Sequence, residues 1–186
     1  MSKELLNATK IGELIKTLRE LFKYHQDLQD RREVAISIQR PKIPPLLSRS
    51  LVVDLGNRGG MRSLECSDFD LLPGKKNNVV AISSNRQVKI IVKATGKSAF
   101  QNLGNKDIDA DFLVWVHFNR YFEDDWLHEI EILTLREPKR IFPQSRKITL
   151  AAFKKEGGES IVSINVNLDQ YMSMSTIRRD EDRFLL

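Results

Sequence analysis

Two lysines on one face of a predicted strand are the residues of this sequence best suited to chemistry. From Gln87 to Thr95, apolar and polar residues alternate, which places Gln87, Lys89 and Lys93 on the same face of the strand. Lysine ammonium groups bind phosphate oxygens, and they need neither a metal nor a carboxylate to do so. Ile91 lies on this face between the two lysines, so we expect the surface to be partly covered. The pattern predicts a shallow basic cleft for a phosphate-bearing ligand.

Further basic residues lie near these lysines in the sequence. Three of them precede or follow the predicted strand: Arg86, Lys97 and Lys106. A second basic cluster follows the strand predicted at 128–135. It consists of Arg136, Lys139, Arg140, Arg146 and Lys147. Loops rich in arginine and lysine contact phosphate in many nucleic-acid-binding proteins, but an ordinary solvated surface has the same composition. The sequence leaves both interpretations open.

The composition excludes several other kinds of site. The chain has 186 residues, with 30 Lys and Arg against 25 Asp and Glu, one cysteine and three histidines. The single cysteine, Cys66, cannot form a disulfide framework or a cysteine-based zinc site, and it indicates a reducing compartment. No glycine-rich phosphate loop and no GxSxG, HExxH or CxxC motif occurs. No apolar run approaches the ~20 residues that span a bilayer, so we expect a cytoplasmic protein without a membrane partner.

A long amphipathic helix is predicted over residues 4–33. Its apolar positions, from Ile11 to Leu28, recur three and four residues apart, which is typical of a helix that buries one stripe. Such regular spacing predicts that the helix forms a homodimer or docks on a partner protein. The alternative is that the stripe packs on the domain of its own chain.

A hinge separates this helix from the rest of the chain. Three prolines within residues 41–45 favour extended backbone, so Arg40 to Pro45 is predicted to be a linker. We therefore divide the chain into an N-terminal helical arm, 1–40, and an α/β domain, 41–186, which ends in a flexible charged tail.

The second part of the sequence predicts a mixed sheet with flanking helices. The predicted elements are a helix at 46–55, strands at 79–82 and 87–95, a helical turn within 100–109, strands at 112–118 and 128–135, a helix at 149–155 and a strand at 160–168. The run from Phe112 to Phe118 is apolar almost throughout, which indicates a strand that is buried on both faces. The expected fold class is α/β (α+β), with a mixed central sheet.

The segment from Asn77 to Trp115 resembles a known nuclease family. Its order of short strand, turn, long strand, helical turn and buried strand is similar to the PD-(D/E)XK superfamily, which has the restriction-endonuclease-like fold. The local sequence is similar to this superfamily as well: Val-Lys-Ala-Thr-Gly…Phe-Gln…Lys-Asp…Ala-Asp-Phe-Leu-Val-Trp-Val. The resemblance implies an acid at the start of one strand, a Glu-X-Lys pair on the next strand and often a further Glu on the preceding helix. The acids would hold Mg²⁺, and the lysine would orient or activate the attacking water.

Residue by residue, the resemblance implies a degraded catalytic centre within the segment that it covers, 46–135. Lys93 matches the lysine of the motif, but Ile91 stands at the position of the acid two residues before it. Asn78 opens the preceding strand where the family has Asp, and Arg49 stands where the helix would carry Glu. Isoleucine cannot bind a metal, and a neutral amide is a weaker Mg²⁺ ligand than a carboxylate. The same register predicts that Asn78, Ile91 and Lys93 lie close together on one edge of adjacent strands, with Lys93 partly exposed.

A displaced register is the alternative. A second Q-X-K sequence, from Gln87 to Lys89, lies on the same strand face, and Asp68 and Asp70 precede it as candidate metal ligands. The candidate catalytic residues are then Gln87 and Lys89 together with Lys93. Mg²⁺ is the expected cofactor only if catalysis survives.

Three functions are compatible with these residues and patterns. The first is a nuclease-fold nucleic-acid-binding protein of restriction or defence type, with DNA expected ahead of RNA and with a degraded or displaced catalytic centre. The second is a working Mg²⁺-dependent DNA endonuclease that takes an acid from Asp68, Asp70 or Asp111. The third is a non-enzymatic protein that acts through its N-terminal helix. In the first two, nucleic acid is contacted by Arg86, Lys97, Lys106, Arg140, Arg146 and Lys147.

Overall fold

The computed structural model describes residues 5–30, 41–72, 78–97 and 100–174. The helices are α1 (Ala8–Asp30), α2 (Pro45–Asn57), α3 (Asn105–Ile108) and α4 (Leu150–Gly157). The strands are β1 (Ser67–Leu71), β2 (Val79–Ser83), β3 (Arg86–Thr95), β4 (Phe100–Leu103), β5 (Phe112–His117), β6 (Glu129–Arg136), β7 (Arg146–Thr149) and β8 (Ile161–Asn167). No helix in these ranges is long and apolar enough to cross a membrane. The predicted boundary after residue 40 borders a segment outside these ranges, and the predicted tail, 178–183, lies outside them.

A mixed sheet of six strands forms the centre of the fold, in the order β1-β2-β3-β5-β6-β8. The β3 and β5 strands are parallel, whereas every other neighbouring pair in this sheet is antiparallel. The β4 and β7 strands form a separate antiparallel pair. The predicted mixed α/β (α+β) architecture is confirmed. The predicted hairpin, whose second strand is the long one, and the buried strand that follows it are also present.

The alternation within β3 divides the apolar residues between two cores. Ile90 and Val92 point to a core that contains α1 and α2, whereas Ile91 points to a second core that contains α3 and α4. The next strand, β5, is buried from Phe112 to Val116. Its side chains therefore fill both cores, as expected for a central strand with helices on both sides.

The predicted arm packs on the sheet of its own chain. Ile11, Ile15, Leu18 and Phe22 of α1 are buried in the first core. Leu21, on the flank of the same helix, is 47% exposed. These residues of the stripe therefore pack on the sheet of their own chain, which is the alternative that the sequence left open, and a homodimer or partner contact through this helix stays a prediction. The apolar face of the sheet must be covered by something, and α1 covers it within one chain.

Two strands that position the candidate site were not predicted. The stretch 100–109, expected to be a helical turn, begins as β4 and becomes α3 only after Gly104. The β4 strand pairs with β7, with Phe100 opposite Thr149 and Leu103 opposite Arg146. Each strand has four residues, which is too short for a clear alternation pattern. Their pairing depends on segments that are distant in sequence.

Candidate functional site

A cavity of about 290 Å³ lies between α2, β3 and the connection from β4 to α3. Its lining residues are Ile43, Pro45, Ser48, Arg49, Asn78, Ile91, Val92, Lys93, Ala94, Gln101 and Asp107. The three positions that the resemblance singled out, Asn78, Ile91 and Lys93, therefore border one space, as predicted. Arg49 borders the same space from α2. We refer to this space as the Lys93 cavity.

The register of the hairpin brings the three positions together. Val79 of β2 pairs with Ile90 of β3, so Asn78, one residue earlier, lies beside Ile91. A hydrogen bond of 3.0 Å from Leu72 N to the Asn78 carbonyl extends the sheet to this residue. Lys93 follows Ile91 by two positions and therefore lies on the same face. Its side chain is 23% exposed, in agreement with the predicted partial exposure.

The Lys93 ammonium has two acceptors within the connection that follows β3. Its Nζ lies 2.7 Å from Asp107 Oδ2 and 3.3 Å from the Asn102 carbonyl oxygen. The Asp107 carboxylate also accepts a hydrogen bond of 2.8 Å from Gly104 N, which fixes it at the start of α3. The Asn102 carbonyl and the Asp107 carboxylate, at the two ends of the connection from β4 to α3, thus hold the ammonium at the wall of the cavity.

Arg49 brings a second cation to the cavity. Its Nε atom is buried and has no hydrogen-bond partner among the described residues. Burial lowers the pKa of the Arg49 guanidinium, yet an arginine side chain stays protonated at neutral pH. Its guanidinium has five N–H donors, arranged to match the oxygens of a phosphate. The resemblance implies that an acid is missing at this position. The structure shows that the position instead holds a cation whose Nε donor has no partner among the described residues.

The donor set of the Lys93 cavity does not fit Mg²⁺. Among the described residues that line it there is a single carboxylate, Asp107, which is already engaged by Lys93 and Gly104. The other oxygen ligands on offer from side chains are the neutral groups of Asn78, Gln101 and Ser48. Mg²⁺ favours a carboxylate-rich site, and a nearby ammonium and guanidinium oppose its binding. No group of three or more His, Cys, Asp or Glu residues suited to a metal occurs within the described ranges.

The displaced register places its candidates outside this cavity. Lys89 donates from Nζ to the Lys106 carbonyl at 3.2 Å and from its backbone N to Asp111 Oδ2 at 2.8 Å. Asp70 pairs with Val80, which pairs with Lys89, so the carboxylate lies two strands away on the same face. At ~4.8 Å per strand, that separation is about 10 Å.

Of the remaining candidates, Gln87 and Asp68 are exposed, whereas Asp111 is partly buried. Gln87 is the second residue of β3. Asp68 lies on the edge strand β1, has φ of 52° and accepts a hydrogen bond from Ser67 Oγ. Asp111 accepts from the Lys89 amide and from Arg86, so its carboxylate joins β3 to the start of β5.

Several of the predicted nucleic-acid contacts are paired with carboxylates. Arg86 is bonded to Asp111 at 2.9 Å. The other two arginines predicted to contact nucleic acid belong to the second basic cluster. Arg140 pairs with Glu137, and Arg146 pairs with both carboxylate oxygens of Glu156. The predicted lysines differ: Lys97, Lys106 and Lys147 are exposed and have no carboxylate partner in the part of the chain that the structure describes.

A second cavity, of about 340 Å³, adjoins the first. The two share Ile43, Ala94 and Gln101 in their linings. Lys42, Lys97 and Phe100 line the second cavity. We call it the Phe100 cavity, and the two together form a groove along the end of β3. Of the predicted nucleic-acid residues, Lys97 is the one that lines this groove.

Sequence reasoning missed Asp107, Gln101 and Phe100 as members of the site. A signal for them was present, because Phe-Gln and Lys-Asp both belong to the text that carried the family resemblance. Lys42 was missed because it lies in the proline-rich segment, which was interpreted as a linker alone.

Comparison of the chain with protein-family models, with curated proteins and with solved structures found no match.

Proposed function

We propose that this protein is a nuclease-fold nucleic-acid-binding protein that holds the phosphate backbone in the Lys93 cavity without a metal ion. The observation that carries the proposal is the meeting of Lys93 and Arg49 in one cavity with a single carboxylate. Two cations that line one cavity suit a phosphate, which carries a negative charge and several acceptor oxygens. Hydrolysis with Mg²⁺ would need a second acid to hold the metal ion, and the described lining of the cavity has none, so the proposal is binding without cleavage.

The PD-(D/E)XK resemblance supports the same conclusion from the sequence side. The lysine of the motif is present as Lys93, and both acidic positions carry residues that cannot replace an acid, Asn78 and Ile91. A site that has cations but lacks metal ligands still attracts the phosphate groups of a nucleic acid. A restriction or defence role, with DNA as the partner, is the biological setting that the resemblance implies.

The test is equilibrium binding of a fluorescein-labelled DNA duplex at ~50 mM salt, first with EDTA and then with Mg²⁺. We expect equal affinity in the two buffers and an intact duplex after prolonged incubation. Lys93→Ala should weaken binding about tenfold, which corresponds to ~1.4 kcal/mol. The matched control is Lys139→Ala, because Lys139 also pairs with a carboxylate, Asp109 at 2.8 Å, but lines neither cavity.

Two results would reject the proposal. A wild-type protein that binds neither this duplex nor its separate single strand at ~50 mM salt lacks the phosphate site, since phosphate-driven binding is strong under that condition. Cleavage that requires Mg²⁺ and disappears in Lys93→Ala would instead establish the endonuclease alternative. In that case an acid outside the Lys93 cavity, such as Asp70, becomes the next residue to replace.

A further inference from the structure

The Phe100 cavity has an exposed aromatic ring at its wall. Phe100 is 46% exposed, although an aromatic side chain of this size is usually buried in a core. The Lys147 ammonium lies 4.1 Å from the centre of the Phe100 ring, within cation–π distance. Lys42 and Lys97 line the same cavity. One cation therefore contacts the ring, and two more line its cavity together with one carboxylate, Glu123, so the surroundings of the ring are more basic than is usual for an apolar patch that binds a protein.

The position of this ring is fixed relative to the Lys93 cavity. Phe100 begins β4 and pairs with Thr149 of β7. The next residue, Gln101, lines both cavities and donates from Nε2 to the Ala94 carbonyl at 2.7 Å. Ala94 itself follows Lys93 on β3. The aromatic ring and the phosphate site are thus joined through a short, hydrogen-bonded connection.

We infer that the Phe100 cavity receives an unpaired base of the nucleic acid whose phosphate is bound at Lys93. This inference rests on the proposed function and adds a preference for single-stranded over double-stranded nucleic acid. An aromatic ring beside basic side chains is the arrangement with which proteins bind single strands, because the base stacks on the ring and the cations follow the backbone. In a duplex the faces of the bases are covered by their neighbours, so a ring at the wall of a groove cannot stack on them.

The experiment measures the affinity of the full chain for a fluorescein-labelled single-stranded oligonucleotide and for its duplex, in EDTA. The variant is Phe100→Leu, which keeps an apolar side chain but removes the aromatic face. We expect it to bind the single strand at least fivefold more weakly and the duplex as the wild type does. Trp126→Leu is the matched control, because Trp126 is an exposed aromatic residue outside both cavities.

A second variant keeps the test independent of folding defects. Phe100→Trp should retain single-strand binding, and its added indole fluorescence should be quenched by the oligonucleotide. If the wild type binds DNA through Lys93 but Phe100→Leu has unchanged affinity for both substrates, the stacking inference is overturned and the proposed function stands. If the wild type binds neither substrate, the proposed function and this inference are both overturned.

Discussion

Lys93 and Asp107 form an ion pair, with 2.7 Å between Nζ and Oδ2, at the wall of the cavity that also contains Arg49. The carboxylate occupies the position beside the ammonium that a phosphate oxygen would take in a complex. Asp107 also accepts a hydrogen bond from Gly104 N, so it is held there by the turn that starts α3. A bound phosphate must therefore share Lys93 with Asp107 or displace it.

Replacing this carboxylate should strengthen nucleic-acid binding. In Asp107→Asn the amide oxygen can still accept from Gly104 N, but the negative charge that faces the phosphate is gone. A charge ~6 Å away in a partly solvated site contributes about 0.5–1 kcal/mol, so the Kd for DNA should fall two- to fivefold. The measurement is fluorescence anisotropy at ~50 mM salt. The control is Asp109→Asn, which removes the carboxylate paired with Lys139 outside the groove; an equal gain in the control would mean that net charge alone is responsible.

Restoring the missing acids should create a metal site but destabilise the protein. Ile91 is 8% exposed and packs in the second core, so Ile91→Glu places a carboxylate among apolar neighbours. We expect the double variant Asn78→Asp with Ile91→Glu to lose about 2–4 kcal/mol of unfolding free energy in EDTA. Mg²⁺ should recover part of that loss by binding the folded state. Thermal unfolding with and without Mg²⁺ measures both effects, and a folded variant that Mg²⁺ does not stabilise would contradict the assigned positions.

The packing of α1 on the sheet predicts an effect on the stability of a single chain. Leu18 is 4% exposed, so Leu18→Ala should lower the free energy of unfolding by about 2–4 kcal/mol. Leu21→Ala, on the exposed flank, should lower it by less than about 0.5 kcal/mol. Urea unfolding at two protein concentrations ten times apart measures both. A loss that changes with concentration would show that Leu18 lies at an interface between copies.

His117 should make the protein less stable at mildly acidic pH. Burial lowers the pKa of His117 below its ordinary value, outweighing the attraction of Glu131. Trp115 Nε1 donates to Thr95 Oγ1 at 2.8 Å, and the same hydroxyl lies 3.0 Å from His117 Nδ1, to which it can donate when the imidazole is neutral. Because the folded-state pKa is depressed, the stabilisation is present above the unfolded pKa of ~6.5 and is lost as pH falls through the folded-state value.

The measurement is the unfolding free energy of wild type and of His117→Gln between pH 8 and pH 5. The wild type should lose stability over this range, and His117→Gln should lose less. Glu131 contributes at a lower pH: burial raises its pKa, but hydrogen bonds from Lys154 and Ser163 hold it below the ordinary value. Parallel profiles for the two proteins would show that His117 does not titrate differently on folding.

The central strands were predictable because their signals are local. The alternation in β3 and the apolar run in β5 each fit within one strand, and they were sufficient to place Asn78, Ile91 and Lys93 around one space. Asp107 and Phe100 were missed as site members, because β4, which positions them, is defined by its pairing with β7, far along the chain; their signal was the local text that resembles the nuclease family. The packing of α1 could not be decided from the sequence. A regular apolar stripe looks the same whether it packs on a sheet or on another helix.

The salt dependence of DNA binding tests the phosphate site most directly, because it counts the contacts that cations make with phosphates. Affinities for one duplex between 50 and 200 mM salt, in EDTA, should give a linear plot of log K against log salt for the wild type. The comparison that isolates Lys93 is Asp107→Asn against the double variant Lys93→Ala with Asp107→Asn, since neither leaves an unpaired carboxylate. We predict that removing Lys93 makes the slope shallower by about 0.9, the value for one phosphate contact. An unchanged slope, with or without a change in affinity, would contradict the assignment of Lys93 to a backbone phosphate.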